Sequence, residues 1–351
     1  MLIEGVFAAI TTPFHPDETV YFRKLEANVG RYSRSLLSGM VVLGSTGEAV
    51  ALTDVESRDV LKTVSEAAAP DKVLIAGVGR ESVKATLEMA EAAAQFNFDA
   101  VLVRTPTYYA PQITRAAVLH HYRSVADRSA LPVLLYHIPK FVPYGFPVDV
   151  VAELAQHPNI IGIKDSSGSV ERIQQILKLT QSAPHRTVTV TPVFGAVTAR
   201  MLTAKAEADA ALVSLNDLGS GLAVAVPPPV APIKTRTREV GFQVLSGSAG
   251  TLFDSLEAGA SGAILAFAAC APQACTEIYL AWKDHDGKLA REKQERIAAP
   301  SLRIAGQLGL NAIKAACDFN GYYGGRARAP MIPLTADQRA EVESLLSNIR
   351  N

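Results

Sequence analysis

Eight short apolar, β-rich runs, separated by longer stretches of helical periodicity, constrain this chain more than any other feature. The runs are Val6 to Thr11, Met40 to Gly44, Val73 to Ala76, Ala100 to Val103, Val133 to Tyr136, Ile160 to Lys164, Phe242 to Leu245 and Ala263 to Phe267. Between them, Phe22 to Leu37, Asp54 to Ala68, Val83 to Phe96, Arg115 to Arg128 and Val148 to Gln156 carry apolar residues every third or fourth position, as amphipathic helices do. Continuous apolar strands are buried on both faces, which requires helices on both sides of a parallel sheet. Eight strand-helix repeats are the number that closes such a sheet, so the expected fold is α/β, a (β/α)8 TIM barrel. An open doubly wound sheet is the alternative, because periodicity does not prove closure.

Two regions depart from the alternation. From about 183 to 240 an insertion precedes strand seven, where a barrel needs only a short connection. Its first half, Val188 to Leu215, reads as strand, helix, strand. Gly195 to Leu212 weakly echoes Ser248 to Leu265, a similarity better assigned to chance between Ala-rich helices than to duplication. A barrel strand at Val188 to Thr191 would overturn the strand assignment above. The second half, Val226 to Pro232, holds prolines enough for a stiff extended linker, followed by the basic run Lys234 to Arg238. Such a segment is suited to covering an active site, joining an oligomer interface or moving freely. After strand eight come helices near Gln273 to Lys283, Leu289 to Leu308, Leu310 to Phe319 and Ala336 to Asn348, more than one barrel repeat needs. The expected division is a catalytic barrel over 1–285 and a C-terminal helical domain over 286–351.

Charge excludes several function classes. Basic and acidic residues both number 34 without a long block of one sign, which argues against a nucleic-acid or membrane-surface role. Cys270, Cys275 and Cys317 form neither a disulfide framework nor a metal-type pair. A start without a signal-peptide pattern completes the expectation of a soluble, cytoplasmic protein with no membrane contact.

The chemistry-bearing residues fall at strand ends, where barrels place their active sites. Lys164 ends the run Ile160-Ile161-Gly162-Ile163 and precedes Asp165-Ser166-Ser167. Burial in such a setting favours the neutral, nucleophilic amine that Schiff-base chemistry needs, whereas pairing with Asp165 would be the structural explanation. Gly44-Ser45-Thr46-Gly47-Glu48 allows backbone N–H groups to converge on an anion, and its two hydroxyls suit a carboxylate. Tyr136, on the strand beside that of Lys164, is placed to relay protons with the help of Thr46 and a second tyrosine. The adjacent His120 and His121 point to different helix faces and read as helix surface, not as a metal pair. Gly77-Val78-Gly79 lacks the third glycine of a dinucleotide fingerprint, and Gly321 to Arg326 reads as a loop between helices.

Thr11-Thr12-Pro13-Phe14, Gly44 to Glu48, Pro106-Thr107-Tyr108-Tyr109, Tyr136-His137-Ile138-Pro139, Gly162 to Ser166 and Leu245-Ser246-Gly247 together resemble the dihydrodipicolinate synthase and N-acetylneuraminate lyase superfamily of class I aldolases. The resemblance implies a homotetramer built as a dimer of dimers, and a lysine that forms a Schiff base with pyruvate or another 2-oxo acid. It implies that Lys164 is that lysine and Tyr136 the proton relay, assisted by Thr46 and Tyr109. Ser45 and Thr46 would hold the carboxylate, Gly247 would lie beside the bound pyruvate, and Tyr108 or Tyr109 would reach the partner's site. Ser166 and Ser167 would hold a hydroxyl or carboxylate of the second fragment. No cofactor and no metal are implied. Within the superfamily, His120 to Tyr122, Gln156 to Ile160, Phe242 to Gly250 and Gly321 to Gly325 are similar to 4-hydroxy-2-oxoglutarate aldolase. Phe141 stands where dihydrodipicolinate synthases usually carry an arginine, His137 where asparagine is common and Val142 where threonine is common. The expected reaction joins pyruvate to an aldehyde or cleaves the product. The alternatives are the dipicolinate reaction, another 2-oxo acid lyase or dehydratase, and a regulatory barrel that only binds pyruvate.

Overall fold

In the computed structural model, which describes residues 1–142, 146–193, 195–203 and 234–349, the eight expected strands close on one another. In chain order the strands are β1 (Gly5–Ala9), β2 (Gly39–Val42), β3 (Val73–Gly77), β4 (Ala100–Arg104), β5 (Val133–His137), β6 (Ile160–Asp165), β7 (Arg186–Val190), β8 (Arg236–Val240), β9 (Gln243–Ser246) and β10 (Gly262–Leu265). All except β7 and β8 pair in parallel around the barrel, and β10 returns to β1 with Gly5 opposite Gly262. Val188 therefore lies outside the barrel, and the sequence assignment of eight strands stands. Ala210 to Leu212 and the proline-rich run Val226 to Pro232 lie outside the described residues.

The shell of the barrel is built from α1 (Phe22–Ser33), α2 (Asp54–Ala67), α3 (Val83–Gln95), α4 (Arg115–Ala126), α5 (Val148–Ala155), α6 (Val170–Leu179), α7 (Leu252–Glu257) and α8 (Pro272–Lys283). Local chemistry fixes where several begin. Thr53, Ser82, Thr114 and Ser169 each accept a hydrogen bond from the backbone N–H three residues on, capping α2, α3, α4 and α6. Their inner faces pack on the outside of the sheet, while Phe7, Val41, Ile75, Leu102, Leu134, Leu245 and Ile264 fill the lumen. Of the two adjacent histidines on α4, only His120 meets water. His121 is buried edge-to-face against Tyr122, which corrects the surface reading, and burial pushes its imidazole down to about 4.

Beyond β10 and α8 the chain continues as α9 (Gly287–Ser301), α10 (Leu310–Phe319) and α11 (Ala336–Leu345). The expected helix from Leu289 to Leu308 is α-helical only to Ser301, and Leu302–Leu308 is wound as a π-helix. Pro300, inside α9, supplies the reason: it has no N–H to donate, and the following turn widens.

One buried ion pair ties these helices to the barrel. Lys314 of α10 and Glu48 after β2 are 1% and 3% exposed in their side chains and hydrogen-bond each other directly. Lys314 also donates to the Arg326 carbonyl at 2.8 Å, and Glu48 accepts from the Arg328 N–H at 2.9 Å. Burial pushes the Lys314 ammonium down and the Glu48 charge pulls it back up. The Arg328 guanidinium then reaches Glu56 with two bonds of 2.9 and 2.6 Å.

The described part of the insertion packs at the opposite end. β7 and β8 form an antiparallel pair whose Val188 and Val190 cover Leu2. Ala199 N–H donates to Asp99, just before β4, at 2.7 Å, and Arg200 reaches the Ala69 and Lys72 carbonyls just before β3. Among the described residues, the insertion thus closes the N-terminal mouth of the barrel and does not cover the rim where the strands end. No helix among those residues is long and apolar enough to cross a membrane.

Two outcomes follow for stability. Lys314→Met leaves the Glu48 carboxylate buried without its counter-charge and is expected to cost about 3–5 kcal/mol, whereas Lys314→Met with Glu48→Gln recovers much of it. Thermal midpoints test this, and equal midpoints for the single and double variants would refute it. The Arg328 hydrogen bonds hold the Glu56 carboxyl down from 4.5 to about 2. A depressed carboxyl stabilises the fold fully above its unfolded value, and that contribution is lost as pH falls toward about 2. Arg328→Gln should therefore lower the midpoint at pH 7 and flatten its decline below pH 4.5, measured by unfolding across pH.

Candidate active site

The polar residues singled out at the strand ends converge at the C-terminal mouth. β5 and β6 run in register with Tyr136 beside Lys164, and β9 places Leu245 on the other side of Lys164. Tyr136 and Leu245 both face the lumen, so Lys164 does too. It sits at the last layer of the lumen, where apolar packing ends.

Lys164 is 4% exposed, and its Nζ lies 4.5 Å from the centroid of the Tyr136 ring. Asp165 is not its partner. That carboxylate is taken by Arg172 Nε at 2.7 Å and by the N–H and hydroxyl of Ser167. Among the described residues no carboxylate lies within ion-pair distance of Lys164. Lysines are rarely buried this far unless paired, which makes Lys164 a candidate functional group.

Ser45 and Thr46 cap the neighbouring wall. The turn is tied by Gly47 N–H to the Gly44 carbonyl at 3.0 Å and by the Thr12 hydroxyl to the Gly47 carbonyl at 2.7 Å. Leu43 and Glu48 flank it at φ of 58° and 57°, a left-handed conformation that costs a non-glycine residue energy. Among the described residues the turn leaves the Ser45 and Thr46 N–H groups without backbone partners, as an anion-binding nest requires. The Ser45 hydroxyl is 3.5 Å from the Tyr136 hydroxyl.

Ser45, Thr46, Tyr136, Lys164, Ser166 and Gly247 line a single cavity of about 280 Å³. Gly247 is required sterically: a Cβ there would come within 2.1 Å of the Ser166 hydroxyl. Its N–H donates to the Asp165 carbonyl at 2.7 Å, and Ser166 N–H donates to the His137 carbonyl at 2.9 Å, which holds the three strand ends together. His137 is buried beside Asp165; burial pushes its imidazole down and the Asp165 charge pulls it up.

Tyr108 and Tyr109 are not brought to this cavity. They are 79% and 65% exposed and stack edge to face at 5.0 Å. Glu81 fixes their loop by accepting from the Thr107 and Tyr108 N–H groups at 2.8 and 2.9 Å, and is itself paired with Arg104 at 2.8 Å. A second cavity of about 610 Å³ opens beside them, shares Ser45, Tyr136 and Phe141 with the first, and excludes Lys164. Sequence reasoning passed over Lys140, Ser248 and Gly168, which also line the smaller cavity. The signal for Lys140 was its place directly after the strand-five motif.

The geometry has counterparts in known proteins. The family model of the dihydrodipicolinate synthetase family matches residues 2–185 and 230–349, and the unmatched residues between fall in the insertion. A 4-hydroxy-tetrahydrodipicolinate synthase of Methanothrix thermoacetophila is 26% identical over 348 residues, covering 99% of this chain and 97% of its own. One from Stenotrophomonas maltophilia reaches 37% over 179 residues, which is 51% of this chain and 60% of that one. The crystal structure of the chloride-inhibited dihydrodipicolinate synthase of Acinetobacter baumannii complexed with pyruvate is 25% identical, covers 99% of both chains and superposes with a TM-score of 0.77. A family match over both ends of the chain, on a closed barrel whose rim gathers these residues, leaves one assignment: the chain belongs to the dihydrodipicolinate synthetase family of class I aldolases, lyases and synthases that act on pyruvate and an aldehyde.

Proposed function

We propose that this chain is a Schiff-base aldolase of the 4-hydroxy-2-oxoglutarate type. The observation that carries the reading is Lys164, buried without a carboxylate partner and in register with Tyr136 at the mouth of the barrel. In the cleavage direction the Lys164 amine adds to the ketone of a 2-oxo acid and water leaves, giving a protonated imine. The bond between C3 and C4 then breaks, its electron pair moves toward the iminium, and the C4 hydroxyl proton departs as the aldehyde forms. Protonation of the enamine at C3 and hydrolysis release pyruvate and the free lysine. Tyr136, Thr46 and Tyr109 are assigned the proton transfers, with Tyr109 supplied by a partner subunit. The Ser45 and Thr46 nest is assigned the pyruvate carboxylate, which would hold the reacting carbon against the amine. Ser166, Tyr108 and Gly247 are assigned to substrate contact.

Phe141 weighs against the dipicolinate reaction. It lines the cavity where a carboxylate-binding arginine is usual, and an aromatic ring offers no bidentate clamp. The named relatives favour the second reading, a 4-hydroxy-tetrahydrodipicolinate synthase working on the same lysine.

Borohydride reduction in the presence of pyruvate, followed by intact mass, is expected to add one reduced pyruvate per chain, and none in Lys164→Ala. Tyr136→Phe should form the same adduct while turnover falls about 10²–10⁴-fold. Turnover with glyoxylate supports the first reading, and turnover with aspartate semialdehyde in its place supports the second. A folded protein that gives no adduct would sink both.

The same proposal includes a homotetramer. Tyr108, Tyr109, Val50, Met331 and Ile332 leave large apolar side chains in water on this chain, as faces meant for a partner do. Light scattering should return a mass near four chains, and a monomer at micromolar concentration would remove Tyr109 from the mechanism.

A further inference from the structure

Glu81 has no part in the chemistry assigned so far, yet its carboxylate is wholly engaged with the loop that carries Tyr108 and Tyr109. One oxygen accepts from the consecutive N–H groups of Thr107 and Tyr108 at 2.8 and 2.9 Å. The other accepts from the Thr107 hydroxyl at 3.3 Å and from Arg104 at 2.8 Å. Two successive N–H groups converging on one oxygen form a nest, which fixes the backbone of the residues that supply them. Arg104 then refers the loop to the barrel, because it ends β4 in register with Tyr136, and Tyr136 is in register with Lys164. Gly79 leaves room for this arm, since a Cβ there would lie 2.6 Å from the Arg104 Cγ. On the far side, the Gln112 N–H closes a turn on the Tyr109 carbonyl at 2.8 Å, so the tyrosines sit between two fixed points. Their rings nevertheless remain in water. Ordering a segment whose side chains stay exposed is opposed by entropy, and it serves function when another surface meets those side chains already in place. The proposed function, on which this inference rests, supplies that surface as a second copy of the chain.

We propose that Glu81 is a positioning residue that directs Tyr109 into the proton relay of a partner subunit. It touches no reacting atom and acts through the Thr107 and Tyr108 backbone. Its removal leaves Lys164, Tyr136 and the Ser45-Thr46 nest of the same chain in place, and slows proton transfer in the neighbouring site. Pyruvate alone is a sufficient probe. In the Lys164 imine a C3 proton departs, its electron pair moves toward the iminium nitrogen, and the resulting enamine takes a deuteron back at C3 from deuterium oxide. Loss of the pyruvate methyl signal by NMR therefore follows the relay whatever the acceptor is.

Exchange rate, half-saturation for borohydride trapping of pyruvate and mass by light scattering are measured in wild type, Glu81→Ala, Tyr109→Phe and the double variant. Glu81→Ala should slow exchange about 10–100-fold, the scale of a displaced reacting group, with half-saturation and mass unchanged. In the Tyr109→Phe background the same substitution should slow exchange no further, because the side chain that it directs has lost its hydroxyl. A structural role elsewhere would instead give effects that multiply. The inference alone is overturned if Tyr109→Phe slows exchange but Glu81→Ala does not, if the two effects multiply, if Glu81→Ala weakens trapping in step with exchange, or if it dissociates the assembly. Tyr109→Phe exchanging at the wild-type rate removes Tyr109 from the relay, and a wild type that gives no adduct removes the lysine chemistry. Either of those results takes this inference with it.

Discussion

Closure of the eight-stranded sheet is the constraint on which the rest depends. A parallel sheet has both faces to bury, and once β10 pairs with β1 the inner face becomes a lumen that side chains must fill. Phe7, Val41, Ile75, Leu102 and Ile264 fill it, leaving no solvated path through the middle. Polar side chains on the inner face are then confined to the end layers, Gln243 at the N-terminal end with its amide bonded to Ile3 and Met1, and others in the last layer beside the mouth. Lys164 and Tyr136 occupy the last layer on adjacent strands, and the parallel register sets them side by side, with the Lys164 Nζ 4.5 Å from the Tyr136 ring centroid. The site is a consequence of where packing stops.

This is why so much was legible in the sequence. Apolar runs of four to six residues ending in Lys, Tyr-His or Gly-Ser-Thr carry both the strand and its polar terminus in one local string, so the barrel and its rim are read together. Boundaries moved by a residue or two, as at β1, which runs Gly5–Ala9 and not to Thr11. What stayed hidden depends on partners far apart in the chain. Lys314 lies in a helix whose pattern gives no reason to expect burial, and only the fold brings it to Glu48, 266 residues away. His121 was misread for the same reason: its neighbour His120 is exposed, and no local pattern shows that a second helix face is covered.

Glu48 joins the two levels. It leaves the Ser45-Thr46 turn in a left-handed conformation, and its carboxylate is spent on Lys314 and the Arg328 backbone. The loop that forms the nest is thereby braced from outside by the C-terminal helices, through a pair whose burial makes it stringent. Bracing of this kind positions hydroxyls and N–H groups more closely than a free surface turn, and precision of about half an ångström is what such a site requires.

The two ends of the barrel divide the work. The described residues of the insertion add β7, β8 and the Thr198–Arg200 contacts at the N-terminal mouth, where residues serve stability. None of those described residues lines the smaller cavity, and β5 and β6 pair with Tyr136 beside Lys164. The rim carries the candidate reacting groups on adjacent parallel strands, so the pairing that holds β5 and β6 in register also holds Lys164 beside Tyr136.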